Sequence, residues 1–336
     1  MTNSSRAAAA LGMFLVATMS MSTSASAYSG LIVGTEPFFY VGTDATHIYT
    51  MRPDGTGKQV LTGNKGNRTP TWSCDGKQIV YSSLEQGRVL QIWAMNADGS
   101  NQRQVTFLPA GAEYPSYSCD GKLSFLSRSQ KTGNPQVFVM DNLSSVPRPI
   151  TRDDTFNYAS SISPDGKQVV FTRKLNHDSH REIFMINSDG SNERQLTSPS
   201  DPNAPDANAP AWSPDSRKIA FFQGLEEKGM GAQRTTPDIR HLGVMNADGS
   251  HPHWLTNCSA GVDASKPGQC GDDPAWSPDG EWIIYSSHFM RTWIIKADGS
   301  TAPKEFLSYL LLFGNGGRRP WTGVTEQPSP ITRPRP

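Results

Sequence analysis

The segment His177-Asp178-Ser179-His180 places two histidines and a carboxylate side by side, a combination that can bind a divalent metal ion or transfer protons. A metal site needs three or four ligands that converge from separate loops, and one short segment supplies only part of that set. His288 is a further candidate ligand. We therefore expect no cofactor, and keep His177, His180 and His288 as weak candidates for a divalent metal site. The alternative is a loop that is solvated or contacts a partner.

Other polar residues, at strand ends and in loops, are expected on the same side of the molecule as the 177–180 segment. The candidate binding set is Arg173, His177, Asp178, His180, Asp238, Arg240, His241, His288 and Arg291. We assign no catalytic residue, because the sequence contains no G-x-S-x-G elbow, phosphate loop, dinucleotide fingerprint or H-E-x-x-H motif. An enzyme whose residues come one from each repeat would leave no such local signature.

Five aspartates recur in one short motif, and they could be read as a ring of metal-binding or acid–base carboxylates. They are Asp75, Asp120, Asp165, Asp215 and Asp279, in WSCDG, YSCDG, ISPDG, WSPDS and WSPDG. Turn chemistry accounts for the whole motif, because Pro presets a turn dihedral, Asp bonds to its own backbone and Gly accepts positive φ. We therefore interpret these aspartates as turn residues. Likewise, we expect the preceding Trp72, Trp212 and Trp276 to pack between repeats, not to form sugar platforms.

The four cysteines permit three complete pairings. Cys258 and Cys270 lie in one polar loop, NCSAGVDASKPGQCGDD, and we predict a local disulfide between them. Cys74 and Cys119 replace Pro at the same turn position of neighbouring repeats. A bridge requires Cα atoms within about 7 Å, so the sequence leaves open whether these two are bonded or are free thiols in turns.

These residues are positioned by an internal repeat. The hexapeptide MNADGS occurs at 95–100 and again at 245–250, with near copies MRPDGT, INSDGS and IKADGS. Each unit carries a Ser-Pro-Asp-Gly type turn and an Asp-Gly-Ser turn, and both turns are flanked by apolar runs that are typical of hairpins. The second and third strands are apolar almost throughout, which indicates burial on both faces. The unit is therefore four antiparallel strands in about 40–45 residues, a β-propeller blade.

Counting the third and fourth strands predicts an all-β, six-bladed β-propeller over residues 28–307. The predicted blades cover 30–62, 69–106, 113–151, 157–197, 208–256 and 273–307. Blade one lacks the first turn motif, and we expect residues 30–43 to supply its first two strands, so that the ring closes without a strand from the far end. Residues 308–336 lack the repeat and are predicted to form a partly disordered tail.

The pattern [I/V]-[Y/F/W]-x-M-N-x-D-G-S…L-T…W-S-P-D-G…I-x-[Y/F] resembles the TolB-type β-propeller repeat, a WD-like repeat, over residues 30–307. TolB has a separate α/β domain before its propeller. Here the propeller follows the leader almost directly, so TolB functions that depend on that domain are not carried over.

Residues 1–27 read as a secretory signal peptide cleaved after Ala27, so we expect a periplasmic or secreted protein without a transmembrane segment. The 31 basic and 31 acidic residues balance, which argues against nucleic acid as a partner. The long insertions 198–210, 223–240 and 257–273 fall in blades four to six, on the side opposite the turns.

We therefore expect a monomeric, non-catalytic binding module whose loop side contacts a protein or a cell-envelope component. A scaffold inside an envelope complex would differ only in its partner. The alternative is a carbohydrate lyase or hydrolase with a His-based site on the loop side.

Overall fold

A computed structural model describes residues 30–36, 46–63, 65–84, 89–151, 156–175, 181–198, 206–225, 239–258, 271–286, 291–308 and 321–322. These residues form 24 strands in six four-stranded antiparallel sheets, and none of them is helical. The predicted six-bladed β-propeller is confirmed. No helix able to cross a membrane was found in the described ranges. The proposed signal peptide, residues 1–27, lies outside those ranges.

Within each blade the strands run in chain order from the axis to the rim, and blade one is the exception. The bounds are, for blade one, β1 (Leu31–Glu36), β2 (His47–Met51) and β3 (Gln59–Val60); for blade two, β4 (Arg68–Trp72), β5 (Gln78–Ser83), β6 (Gln91–Asn96) and β7 (Arg103–Gln104); for blade three, β8 (Glu113–Tyr117), β9 (Leu123–Arg128), β10 (Pro135–Met140) and β11 (Arg148–Pro149).

The bounds continue, for blade four, with β12 (Asn157–Ile162), β13 (Gln168–Lys174), β14 (Arg181–Asn187) and β15 (Arg194–Gln195); for blade five, β16 (Asp206–Trp212), β17 (Lys218–Leu225), β18 (Ile239–Asn246) and β19 (His253–Trp254); for blade six, β20 (Asp272–Trp276), β21 (Trp282–Ser286), β22 (Arg291–Lys296) and β23 (Lys304–Ser308); and last β24 (Trp321–Thr322). Parts of the predicted insertions are therefore strand, because β16, β17 and β18 extend into them.

The expectation that the ring closes without the far end of the chain is wrong. The innermost strand of blade one is β24, which pairs antiparallel with β1 through Leu31↔Thr322 and Ile32↔Trp321. The register of the later blades gives the reason. Trp72, Trp212 and Trp276 pair with the second residue of their second strands, and Trp321 pairs in the same way with Ile32, the second residue of β1. Trp321 therefore occupies in blade one the position that the other five blades fill with Trp72, Tyr117, Ile162, Trp212 and Trp276.

The tryptophans link neighbouring blades, as predicted. The indole N–H of Trp212 donates to Ser161 O at 3.2 Å, and that of Trp276 donates to Ala211 O at 3.1 Å. Each acceptor is the residue just before the equivalent position in the preceding blade. The buried indole N–H of Trp72 has no partner in the described part of the chain. By analogy with the other blades its acceptor would be the carbonyl of Pro320, which lies outside the described residues.

The Asp-Gly-Ser turns explain why the hexapeptide is repeated. Asp98 Oδ1 accepts the backbone N–H of Ser100 at 2.9 Å, which closes the turn. Gly99 has φ +83°, and a Cβ there would lie 2.9 Å from Leu61 O in blade one. Gly249 approaches Leu196 O of blade four in the same way, at 3.0 Å. Glycine is needed because each turn rests on the last strand of the preceding blade.

The Leu-Thr ending of each unit also has a structural role. Thr106 Oγ1 accepts the backbone N–H of Ile92 at 2.8 Å and donates to Gln91 Oε1 at 2.8 Å. Thr151 repeats both bonds in blade three, to Val137 N and Gln136 Oε1. The threonine therefore fixes the start of the third strand against the end of the fourth.

The innermost strands share an irregularity that the sequence motif did not predict. Each of β4, β8, β12, β16 and β20 has a register shift against its second strand. A non-glycine residue with positive φ lies within each shift: Thr69, Tyr114, Ala159, Ala209 and Asp273. Such bulges re-aim side chains, and here they do so at the same level around the axis.

Candidate functional site

The repeated aspartates are turn residues, and the interpretation made from the sequence is confirmed. Asp75 Oδ1 accepts Ser73 Oγ–H at 2.6 Å and the backbone N–H of Lys77 at 3.1 Å. The serine bond repeats at Asp120, Asp165, Asp215 and Asp279. The hydrogen bond from Ser73 is the main reason why the pKa of Asp75 lies below its usual range. These carboxylates are engaged locally, not converging on a shared ligand.

The inner turns contact one another around the axis and form the turn face. Cys74 and Cys119 are joined by a disulfide with a Cα–Cα distance of 5.0 Å, which settles the question that the sequence left open. Cys119 N–H donates to Pro164 O at 2.8 Å, which links blades three and four. Ser216 Oγ accepts Asp165 N–H at 3.2 Å, which links blades four and five. The contacts bring the ring of turns close together at this end of the axis.

Arg173, a predicted binding residue, is buried and paired within blade four. Its side chain is only 6% exposed and forms a bidentate ion pair with Glu193, at 2.7 and 2.9 Å. Its Nε–H also donates to Asn157 Oδ1 at 3.0 Å, and its guanidinium lies 4.7 Å from the ring centroid of Phe184. Arg173 therefore ties the first, second and fourth strands of blade four together.

Two more predicted residues, Arg240 and His241, are the second and third residues of β18, the third strand of blade five. Arg240 is buried. His241 is half-buried, and its Nδ1 accepts the backbone N–H of Cys258 at 2.9 Å. The imidazole ring packs beside Trp254, with centroids 5.8 Å apart. His241 is therefore held in place by the end of the fourth strand.

The remaining predicted residues lie outside the described ranges: His177, Asp178, His180, Asp238 and His288. For Arg291 the structure gives only a place in β22. In the described ranges no group of three or more His, Cys, Asp or Glu residues could hold a metal ion. Cys258 is disulfide-bonded, while Cys270 is not described, so their pairing remains a prediction.

The structure brings together a polar-aromatic group on the loop side of blades four and five that sequence reasoning missed. The rings of Phe156 and Tyr158 stack with centroids 6.3 Å apart. The guanidinium of Arg181 lies 5.5 Å from the centroid of Tyr158. Asp206 accepts the backbone N–H of Arg181 at 2.9 Å, and its carboxylate lies 4.0 Å from the guanidinium. We call these four residues the blade-four cluster.

Large apolar side chains are exposed mainly on the loop face. Of the seven in the described residues, four follow or precede strands on that side: Val89, Phe107, Phe156 and Leu175. Val146 is on the turn face, and Val60 and Trp254 are in outermost strands. A cleft of about 350 Å³, lined by Leu108, Phe138 and Pro149 among others, opens on the loop side of blade three. Among the residues that the structure describes, exposed apolar side chains are therefore more frequent on the loop face.

Comparisons with known proteins agree with this architecture. Residues 112–254 match the TolB beta propeller domain, so the predicted resemblance is confirmed for the propeller portion. The chain is similar to TolB from Acinetobacter baumannii, with TM-score 0.64 and 18% identity over 88% of this chain and 66% of that one. It is also similar to an oligogalacturonate lyase solved with manganese, with TM-score 0.56 and 14% identity over 77% and 70% of the two chains. At these identities the likeness shows the fold alone.

Curated relatives match over shorter parts of their length. Dipeptidyl-peptidase 5 from Porphyromonas endodontalis is 37% identical over 67 residues, 20% of this chain and 10% of the peptidase. The uncharacterized peptidase YuxL from Bacillus subtilis is 25% identical over 230 residues, 68% of this chain and 23% of that protein. The chain spans less than a quarter of either relative.

Proposed function

Because this chain carries a TolB-type β-propeller domain, we propose that it is an exported, non-catalytic binding module whose loop face contacts a protein partner in the cell envelope. The TolB-type fold supports a protein-binding role. The Cys74–Cys119 disulfide is consistent with an oxidising compartment outside the cytosol.

The observation that supports this proposal is the difference between the two faces. On the turn face the recurring carboxylates are bonded to their own serines and backbone, and the turns rest on one another. On the loop face, exposed Phe156 stacks with Tyr158, which also contacts the guanidinium of Arg181, and exposed Leu175 follows the neighbouring strand β13. Aromatic and arginine side chains are the residues that most often dominate protein–protein binding energy.

A matched pair of surface variants tests the proposal. Phe156→Asp with Leu175→Asp places charge on the loop face, and Val146→Asp places charge on an exposed apolar residue of the turn face. Wild-type protein and both variants would be used as bait for cross-linked capture from a cell-envelope extract. We expect the loop-face variant to lose the captured partner and the Val146 variant to retain it. Equal capture by all three, with unchanged thermal unfolding, would contradict the proposal.

A separate experiment, metal analysis of the purified protein, tests the carbohydrate-enzyme alternative. An enzyme with a His-based site would retain a divalent ion after purification, and His177→Ala would remove it. Metal analysis of both proteins therefore separates the two hypotheses independently of partner capture.

A further inference from the structure

One aromatic position in the third strand differs between blades. Opposite the fourth strand, five blades carry an aromatic residue there: Tyr49, Trp93, Phe138, Phe184 and Trp293. Blade five has Gly243 instead, and its partner in the fourth strand is Trp254. In blade two the same pair is Trp93 and Gln104. Blade five has therefore moved the aromatic ring from the third strand to the outermost strand.

The indole of Trp254 occupies the space that Gly243 leaves open. A Cβ on Gly243 would lie 2.6 Å from Cζ3 and 2.8 Å from Cε3 of Trp254. The indole also makes an edge contact with Phe221, with centroids 5.6 Å apart, and lies beside the ring of His241. Gly243, Phe221 and His241 thus hold the indole of Trp254 in one orientation.

Moving the aromatic residue to the outermost strand changes how far its side chain is exposed to solvent. Trp93 is 5% exposed and Trp293 is 4% exposed, whereas Trp254 is 49% exposed. Either arrangement places a ring between the strands, but only this one leaves half of an indole open to solvent at the rim. Packing against Gly243 explains the covered half of the ring and not the open half.

A hydrogen-bond donor accompanies the indole. Nδ1 of His241 lies 2.9 Å from the backbone N of Cys258 and 3.3 Å from the carbonyl O of Thr256. Because the Cys258 N–H can only donate, we assign Nδ1 as its acceptor, and the ring proton of that tautomer is on Nε2. That N–H has no hydrogen-bond partner in the described residues. The rim of blade five therefore combines an open aromatic face with a neighbouring polar donor.

We propose that Trp254 and His241 form a binding site for a neutral glycan, in which the C–H face of a pyranose ring packs on the indole and a hydroxyl accepts the Nε2–H of His241. A neutral sugar fits because it needs one flat apolar face and polar groups at its edge. A protein anchor would need a surrounding ring of residues to exclude water, and His251 and His253 of the same segment are exposed. The fourth strand has two residues, too few to pair with an added peptide strand. This site is at the outermost strand of blade five, and glycan binding there does not depend on the proposed protein partner.

A variant that restores the arrangement of blade two separates binding from packing. Gly243→Trp with Trp254→Gln rebuilds the Trp93/Gln104 pair and removes the exposed indole, so its thermal unfolding should match the wild type. The probes are cellohexaose, chitohexaose and maltohexaose, titrated by calorimetry against the full chain. We expect the wild type to bind at least one probe and the double variant to bind it about tenfold more weakly. His241→Phe, which keeps a ring beside the indole but removes the donor, should also weaken binding.

Three results would overturn the proposal. They are no heat of binding with any probe, equal binding by the double variant, or concentration-dependent self-association of the wild type that the double variant lacks. The last result, measured by sedimentation, would assign the indole to a contact between two copies of the chain.

Discussion

Replacing both residues of the inner-turn disulfide, as Cys74→Ala with Cys119→Ala, is expected to lower the free energy of unfolding by about 4 kcal/mol. The bridge joins residues 45 positions apart and therefore closes a loop of that length in the unfolded chain. The chain-entropy relation gives about 4 kcal/mol for such a loop at room temperature. The native contacts of the turns, such as the bond from Cys119 N–H to Pro164 O, should remain in the variant.

The assay is denaturant unfolding followed by fluorescence, with and without reductant. Reductant would also break the disulfide of Cys258, so the measurement uses a Cys258→Ala/Cys270→Ala background. In that background, reductant should cause the loss of about 4 kcal/mol, and adding the Cys74→Ala/Cys119→Ala changes should abolish the effect of reductant. A difference below about 1 kcal/mol would refute the reasoning, because it would mean that the unfolded chain gains little freedom when the bridge is absent.

Other predictions concern the turns, the buried ion pair and the last strand. Gly99→Ala should cost about 2 kcal/mol more than Gly121→Ala in denaturant unfolding, because both have positive φ but only Gly99 faces a backbone oxygen at 2.9 Å; equal costs would contradict the contact. Arg173→Ala should cost about 3 kcal/mol, and Arg173→Lys should recover little of it because lysine cannot pair bidentately with Glu193; full recovery would argue against that geometry. Deleting residues 309–336 removes β24 and should lower the melting temperature by several degrees, while deleting 323–336 keeps β24 and should not. Equal melting points would show that β24 adds no stability. The hydrogen bond from Ser73 lowers the pKa of Asp75 from 3.8, so the stabilising effect of this carboxylate is present above pH 4 and is lost on acidification below that value. Ser73→Ala should reduce this acid dependence. An unchanged profile of stability against pH would contradict the bond.

The sequence predicted the fold because its repeat is written in residues with strict backbone requirements. The Asp, Gly and Ser of each turn, and the threonine that ends each unit, make the same bonds in blade after blade, so their roles could be read from their spacing. The closing strand was missed because Trp321 is followed by Thr-Gly, and the Ser-Pro-Asp-Gly turn that marks the other tryptophans is absent. Without that turn, the motif offers no sign that the residue belongs to a blade.

The candidate site was harder to predict, because distances between loops are not written in the sequence. The position of Arg173 near a strand end suggests an exposed side chain, but the ion pair with Glu193, twenty residues later, keeps it buried. Phe156 and Tyr158 were overlooked because two aromatics near a strand start carry no motif, and their stacking depends on the start of the inner strand. The glycine at 243 becomes informative only when the strands of all blades are aligned by register.

The pairing of β1 with β24 also means that blade one can be completed only after the end of the chain has been synthesised. Leu31 leaves the ribosome about 290 residues ahead of its partner Thr322. At 5–20 residues per second that separation is roughly 15–60 s. During that interval the inner edge of β1 has no partner strand within blade one. Sequences that could add to this edge are the ones from which the nascent protein needs protection.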